Sequence, residues 1–341
     1  MVPEDRPTWP LARAAAYRCL LILALAMTVS MTWPLAGEAA AEGYPVKTIK
    51  LVVPFGPGGP TDVAARVASQ IVQASLGQSV VVENRPGAGG ATGTRAVATA
   101  EADGYTLLLG TVATLGALPA VIKNPGFDPN TSFEPIAKLT ESTAILVVPP
   151  QLPVNSVADL VALAKAKPGQ LNFASAGVGN QTQLNAEVFK SRAGIDIVHV
   201  PYKSGAEMVT AVLTDQAQLS FLDVSVLLPL IQEGKLKALA VTASKRHPAL
   251  PNVPTMVESG IANYNATFWT GLLAPAGTSA MIVKTLNDTI NAGLSSAPVR
   301  ETIERTGAAA CMLSPSEFRS FIAAEHNKWK DAVQLAGIKA E

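Results

Sequence analysis

The sequence is poor in the residues that form disulfides and metal sites. Its 341 residues include two cysteines and three histidines. Cys19 lies in an apolar run near the N terminus, which leaves Cys311 as the single thiol of the remaining chain. One thiol excludes an internal disulfide, and with it a small disulfide-stabilised extracellular fold. The histidines are far apart and have no second ligand at metal-binding spacing, so we expect no metal site.

An excess of either charge is also absent. Lys and Arg together number 26, and Asp and Glu also number 26, so the formal net charge is zero. A protein without a basic face is not expected to bind nucleic acid or an anionic membrane surface.

The first 41 residues have the composition of a secretory signal. Arg13 and Arg18 precede the apolar run 19–27, and small residues lead to an alanine-rich cleavage site at 39–41. The apolar run is shorter than the roughly 20 residues that span a bilayer. We therefore expect a cleaved signal peptide at residues 1–41. Secretion of a chain without disulfides indicates the periplasm.

Strand and helix patterns alternate along nearly the whole mature chain. Strand-like runs occupy residues 80–83, 105–110, 144–148, 171–173, 197–200, 218–222 and 236–242. Helical periodicity lies between them, at residues 157–166, 183–192 and 207–213. This alternation predicts an α/β fold in which each lobe is a mainly parallel sheet flanked by helices.

Two changes of pattern predict a division into lobes. The strand-like residues 133–139 meet a new run at 145–148, and a second boundary follows the proline-rich segment 248–254. We place the first part of lobe 1 at residues 42–142, lobe 2 at 143–264, and the return to lobe 1, with the terminal helix Pro315–Leu335, at 265–341. Two crossings between lobes form a hinge, and the cleft at a hinge can enclose a small ligand.

A glycine-rich turn between strand 49–55 and helix 63–71 is the most informative segment. Such a turn directs unpaired helix amides and the positive end of the helix dipole at a ligand, which predicts an anion site. Pro60 has no amide to donate, so the expected donors are Gly58, Gly59 and the amide and hydroxyl of Thr61. Asp62 is a further candidate, but its carboxylate would repel an anion unless it points away. An ordinary turn that binds nothing is the alternative.

A second glycine-rich turn repeats this arrangement between strand 171–173 and helix 183–192. Its candidate ligand-binding residues are Ser175, Ala176, Gly177, Gly179, Asn180, Gln181 and Thr182. Two helix N termini facing across one cleft would hold a ligand with a carboxylate at each end, through backbone amides and small hydroxyls.

Two side chains elsewhere are also candidate ligand contacts. Tyr202 could donate its hydroxyl from the segment 201–205. Asp223 follows the strand-like run 218–222 and could reach the cleft, while a helix cap is an equally supported role.

Motifs for catalysis and for cofactor binding are not found. The glycine-rich loop 85–93 lacks the third glycine of G-x-G-x-x-G, because Thr92 stands there. Neither a phosphate-binding G-x-x-x-x-G-K-[ST] nor a G-x-S-x-G nucleophile motif is present. We therefore expect no cofactor and no enzymatic activity.

An ordered set of segments resembles the Bug family, the TctC-like substrate-binding subunits of tripartite tricarboxylate transporters. These segments are residues 44–62, 82–90, 103–108, 167–172, 199–203, 250–255 and 271–278. The resemblance implies a two-lobed periplasmic binding protein of the Venus-flytrap type that delivers a small carboxylate to a large and a small membrane subunit. It also implies that the loops 58–62 and 175–182 grip the carboxylates. Pro60 and the run Asn180 to Gln183 depart from the family's usual residues.

The function that we predict is capture of a small carboxylate-bearing metabolite by a monomeric periplasmic binding protein. Two alternatives are a ligand-loaded sensor for a membrane receptor kinase and, with less support, a secreted α/β hydrolase.

Overall fold

Strands and helices alternate through the residues that the structure, a computed structural model, describes: 43–177, 180–335 and 337. The strands are β1 Ile49–Val53, β2 Val80–Asn84, β3 Thr106–Thr111, β4 Phe133–Val148, β5 Asn172–Ser175, β6 Val198–Pro201, β7 Leu219–Asp223, β8 Lys237–Val241, β9 Thr267–Pro275 and β10 Ala308–Ala310. The helices are α1 Pro60–Leu76, α2 Ala91–Ala98, α3 Leu118–Val121, α4 Val157–Ala166, α5 Gln181–Ala193, α6 Gly205–Leu213, α7 Val224–Gln232, α8 Ala280–Ser295, α9 Ala297–Glu304 and α10 Pro315–Leu335. A 3₁₀ turn, Ala88–Gly90, and a π-helical segment, Val112–Ala117, complete the set.

These elements belong to the unit Pro45–Glu341. The predicted signal peptide, residues 1–41, lies outside the described residues. None of the helices in the described part of the chain combines the length and the apolar character needed to cross a membrane.

The strands form one path of hydrogen-bonded neighbours in the order β2-β1-β3-β9-β4-β7-β5-β6, with β8 and β10 also paired to β4. The pairs β1–β2, β1–β3, β5–β6 and β5–β7 are parallel, as the alternating pattern predicts. The pairs that involve β4 or β9 are antiparallel. Strand pairs at both ends of the path are therefore parallel, and strand pairs in the middle of the path are antiparallel.

Strand β4 corrects the prediction of separate strands at residues 133–139 and 145–148. It is one continuous strand of 16 residues. Its first part pairs with β9, from Phe133 opposite Pro275 to Thr143 opposite Thr267, and residues 144–148 pair with β7 and β8. The polar run in its middle suggested a chain break, but these residues are hydrogen-bonded to β9 on one side and β10 on the other.

The ends of several helices follow from local sequence. Ser156 caps α4 by accepting a hydrogen bond from the Asp159 amide at 3.1 Å, and the Asp159 carboxylate accepts from the Asn155 amide at 2.9 Å. Helix α1 has Pro60 in its first turn and ends at Gly77, whose φ of 70° is left-handed. The predicted bounds of α4 and α10 agree with the structure.

Helix α10 packs on β4 and on the π-helical segment through a buried aromatic cluster. Glu325, itself buried, accepts hydrogen bonds from the indole nitrogens of Trp269 at 3.0 Å and Trp329 at 3.1 Å. Gly116 allows this close approach, because a Cβ atom there would lie 2.6 Å from the Trp329 ring. The indole of Trp269 on β9 is thereby fixed from the side of α10.

Candidate ligand-binding cavity

A cavity of about 220 Å³ lies where α1, the π-helical segment, β4, β9 and the start of α5 converge. Its apolar wall includes Phe55, Val67, Val112, Phe268 and Ile303. Its polar wall is made mainly of hydroxyl and amide side chains: Thr61, Thr111, Thr140, Ser142, Thr270, Thr306, Asn180 and Gln181, together with Asp223. The volume is below the roughly 300–1,000 Å³ of pockets for drug-sized ligands, which suits a small metabolite.

The N terminus of α1 forms one side of the cavity. Gly59 is the N-cap, and Pro60 and Thr61 line the cavity directly. First-turn amides of a helix have no acceptor four residues earlier in the same helix, so the amides of Thr61 and Asp62 are available to a bound anion. The predicted contact residue Thr61 therefore lies in the lining. Pro60 contributes the surface of its ring there but no hydrogen-bond donor.

Asp62 and Gly58, both predicted ligand contacts, instead bind each other. The Gly58 amide donates to the Asp62 carboxylate at 3.1 Å, and Asn84 Nδ2 and Arg66 Nε donate to it at 3.0 and 2.9 Å. The pKa of this carboxyl is below its usual value, chiefly because of the hydrogen bond from Arg66. The hydrogen bonds from the Gly58 amide and Asn84 act in the same direction. The carboxylate therefore points away from the cavity lining and stabilises the loop, for which its position in a first helical turn is favourable.

The N terminus of α5 forms another part of the wall. Asn180 is its N-cap, and its side-chain oxygen accepts from the Thr182 amide and hydroxyl, both at 3.0 Å. Asn180 and Gln181 line the cavity. Asn180 Nδ2 has no hydrogen-bond partner among the described residues, so this donor is available to a ligand.

The rest of the second glycine-rich loop holds itself together. The Thr182 hydroxyl accepts from the Ala176 amide at 2.9 Å, and the Gly177 amide donates to Ser175 Oγ at 3.2 Å. These four predicted contact residues are not in the cavity lining. They shape the turn that presents Asn180 and Gln181. Gly179, the remaining candidate of this loop, lies outside the described residues.

Gln181 has one satisfied and one unsatisfied side-chain atom. Its Nε2 donates to the Thr267 carbonyl at 2.9 Å, which fixes the orientation of the amide. Its Oε1 is buried and has no hydrogen-bond partner within the described structure. An acceptor left in that state costs about 1–3 kcal/mol of folding free energy.

Asp223 has the predicted helix-cap role and also lies in the cavity lining. It caps α7 by accepting at Oδ1 from the Ser225 amide at 2.9 Å and the Ser225 hydroxyl at 2.6 Å. Its Oδ2 accepts from the Ser142 hydroxyl, and both Asp223 and Ser142 line the cavity. Burial raises the pKa of the Asp223 carboxyl above its usual value, against the opposing effect of these hydrogen bonds.

The structure places Tyr202 away from the cavity lining. It is half-buried against the apolar cluster around Met208 and Val241, and its amide donates to the Ser175 carbonyl at 2.8 Å. Conversely, Thr140, Ser142 and Thr270 line the cavity but were not predicted. The signal that could have identified Thr140 and Ser142 is their i, i+2 spacing in a strand, which puts both on one face.

A serine–histidine contact lies outside the cavity. Ser175 Oγ contacts His199 Nε2, but Ser175 is fully buried and absent from the cavity lining. The described residues also hold no cluster of three or more side chains able to bind a metal ion.

A two-lobed α/β fold with a small cavity, lined by apolar side chains and by hydroxyl and amide groups, is typical of a solute-binding protein of the periplasmic type. The sequence profile of the tripartite tricarboxylate transporter family receptor (TctC) matches residues 64–338. The chain therefore belongs to that receptor family. The resemblance to Bug proteins, and the periplasmic binding-protein fold that it implied, are confirmed.

Individual relatives agree with this membership. The chain is 38% identical to protein BugT of Bordetella pertussis over 306 residues, which cover 89% of this chain and 94% of BugT. A structure of an R. palustris protein with adipate superposes with a TM-score of 0.77 at 34% identity, covering 87% of this chain and 99% of the other. MatC of Rhodopseudomonas palustris, with bound malate, gives a TM-score of 0.73 at 32% identity, covering 85% and 100%.

Proposed function

We propose that this receptor captures a small carboxylate-bearing metabolite in the central cavity and delivers it to the large and small membrane subunits of a tripartite transporter. The observation that carries the proposal is that the N termini of two separate helices, α1 and α5, line the same cavity of about 220 Å³. Adipate and malate, the ligands of two similar structures, are both small carboxylates.

The carboxylate would be held without an ionic partner. Thr61 offers an amide and a hydroxyl, and the start of α5 offers the Gln181 amide and Asn180 Nδ2. Each helix dipole adds about 0.3–1 kcal/mol to the binding of an anion at its N terminus, and up to about 2 kcal/mol where the site is partly buried. Preorganised amides give this stabilisation with little loss of conformational freedom on binding.

Release and capture would follow from movement of two lobes about the strands that join them. We place these lobes at residues 42–142 with 265–341, and at residues 143–264. The connecting strand β4 and the start of β9 lie near both boundaries. The protein would be exported to the periplasm as a monomer, with its signal peptide cleaved after residue 41. Its closed, ligand-bound form would then dock on the membrane subunits.

A thermal-shift screen tests the proposal. The exported protein is purified free of ligand and heated with succinate, malate, adipate, citrate and their amino-acid analogues. A ligand that binds only the folded state raises its stability by about 2.7 kcal/mol at a hundredfold excess over the dissociation constant. A shift with at least one carboxylate is expected. If no carboxylate shifts the transition, the proposed function is wrong.

A further inference from the structure

The cavity lining has few ionisable side chains, and its charge is unusual for a site that binds anions. Among the described residues of its lining, Asp223 is the one side chain with an ionisable group. The lining contains no lysine, arginine or histidine within that part of the chain. A carboxylate cargo therefore meets neutral donors at the helix ends and a carboxyl group at the end of β7.

Asp223 is held by neutral donors alone. Its hydrogen bonds come from the Ser142 hydroxyl and from the amide and hydroxyl of Ser225. It takes part in none of the ion pairs formed by the described residues. A partly buried carboxylate without a cationic partner is costly, and loss of solvation raises the pKa of this one.

His247 influences the Asp223 carboxyl electrostatically, in the direction that lowers its pKa, but its ring nitrogens contact other groups. Its Nδ1 accepts a hydrogen bond from the Ala249 amide at 3.2 Å. Its Nε2 lies 3.4 Å from the Gly307 carbonyl.

Gln181 provides a second, independent sign of a missing donor. Its side chain lines the cavity and is 2% exposed, yet its Oε1 has no hydrogen-bond partner in the described structure. The assignment of this atom as an acceptor follows from its Nε2, which must donate to the Thr267 carbonyl. Gln181 thus lacks a donor, and Asp223, in the same cavity, has no ion-pair partner among the described residues.

We propose that the cargo is an amino acid or a related zwitterion, whose carboxylate binds at the helix N termini and whose ammonium group pairs with Asp223. This inference rests on the proposed function, because it assumes the same cavity and the same carboxylate site. An ammonium group carries three donors, so one hydrogen bond to Asp223 leaves two for other acceptors of the cavity.

The test uses matched ligands that differ by the amino group. Isothermal titration of the purified full-length chain compares L-aspartate with succinate, L-glutamate with glutarate, and L-phenylalanine with 3-phenylpropanoate. In the pair that binds best, we expect the amino member to bind at least tenfold more tightly. Malate is titrated beside aspartate, because its hydroxyl can donate to Asp223 but carries no charge.

Asp223→Asn identifies the group responsible for this preference. Asparagine is an equally good N-cap, so α7 keeps its start and the protein is expected to fold. The preference for the amino member should fall to less than threefold. Asp288→Asn, the same substitution on the exposed face of α8, should leave the preference unchanged.

The outcomes separate this inference from the proposed function. Succinate or malate binding as tightly as aspartate, with the same result in the other pairs, would overturn the inference and leave the carboxylate receptor intact. A preference for the amino member that survives Asp223→Asn would overturn the role of Asp223. Binding by no member of any pair would overturn the proposed function and this inference together.

Discussion

The two helix N termini at the cavity are stabilised in different ways. At α1 the glycine loop is closed by an acid, since the Asp62 carboxylate accepts from the Gly58 amide and is paired with Arg66. At α5 it is closed by neutral groups, because Asn180 accepts from Thr182 and Thr182 accepts from Ala176. The α1 end also begins with Pro60, which has no amide. We therefore expect the α5 end to hold most of the negative charge of the cargo, and the α1 end to be chiefly a structural wall.

The strongest way to break this comparison is Asn180→Asp. The substitution keeps an N-cap oxygen, so the fold should be retained. It also places a negative charge beside the bound carboxylate. Two like charges about 5 Å apart at an effective dielectric of about 20 repel by about 3 kcal/mol, which corresponds to roughly a 150-fold loss of affinity. Isothermal titration of wild type and Asn180→Asp with the best-binding carboxylate measures this loss of affinity.

The control for that variant is Asn124→Asp, an exposed turn residue whose side-chain oxygen accepts from the Gly126 amide. Its affinity should match the wild type. Unchanged affinity in Asn180→Asp as well would show that the carboxylate does not lie at the start of α5.

The next largest effect concerns stability at the α1 end. Asp62→Ala removes the buried carboxylate that accepts from Gly58, Asn84 and Arg66. The free energy of unfolding should fall by about 1–3 kcal/mol in urea titrations. Asp288→Ala, which breaks an exposed i, i+4 pair with Lys284, is the matched control and should cost less than about 0.5 kcal/mol. Equal losses in both variants would contradict a structural role for Asp62.

A smaller effect is expected from Thr61→Val at the same end. The substitution removes a hydroxyl from the cavity wall but keeps the Thr61 backbone amide. A single neutral hydrogen bond contributes about 0.5–1.5 kcal/mol, so affinity should fall by roughly 2- to 12-fold. Thr210→Val on the exposed side of α6 is the control. A loss of affinity in Thr61→Val as large as that in Asn180→Asp would contradict the ranking of the α5 end above the α1 end.

The smallest effect is the pH dependence of the Asp62 contribution. The pKa of Asp62 is lower in the folded protein than its usual value, chiefly because of Arg66. Its stabilisation is therefore complete above the unfolded pKa of about 3.9 and is lost as pH falls through the folded value. The stability difference between wild type and Asp62→Ala should be constant from neutral pH to about pH 5 and shrink in acid. A difference that grew in acid would contradict this sign.

Local signals were sufficient for much of the fold. The capping serine and apolar periodicity give α4 its bounds, and the glycine-rich turns before α1 and α5 follow from strand, loop and helix patterns in sequence. That these two turns meet at one cavity was predicted as a possibility. The meeting of the two turns at a shared cleft depends on contacts between segments that are more than 100 residues apart in the sequence.

The residues that were missed or misplaced depend on such distant partners. Ser142 is polar in mid-strand because it donates to Asp223, 81 positions later. The amide of Gly58 is occupied because Asp62 turns back towards it and is held there by Asn84 and Arg66. No pattern of spacing along the chain contains these pairings. The parallel ends of the sheet path were predictable, whereas the long antiparallel β4 was not.

The continuity of β4 has a consequence for how this receptor can diversify. Thr140 and Ser142 reach the cavity from a strand bonded on both edges, and not from a loop. Inserting or deleting one residue before them would turn both side chains to the opposite face. Descendants of this chain can therefore change this part of the cavity wall by replacing side chains, but not by altering chain length. Cargo preference on this side evolves one substitution at a time.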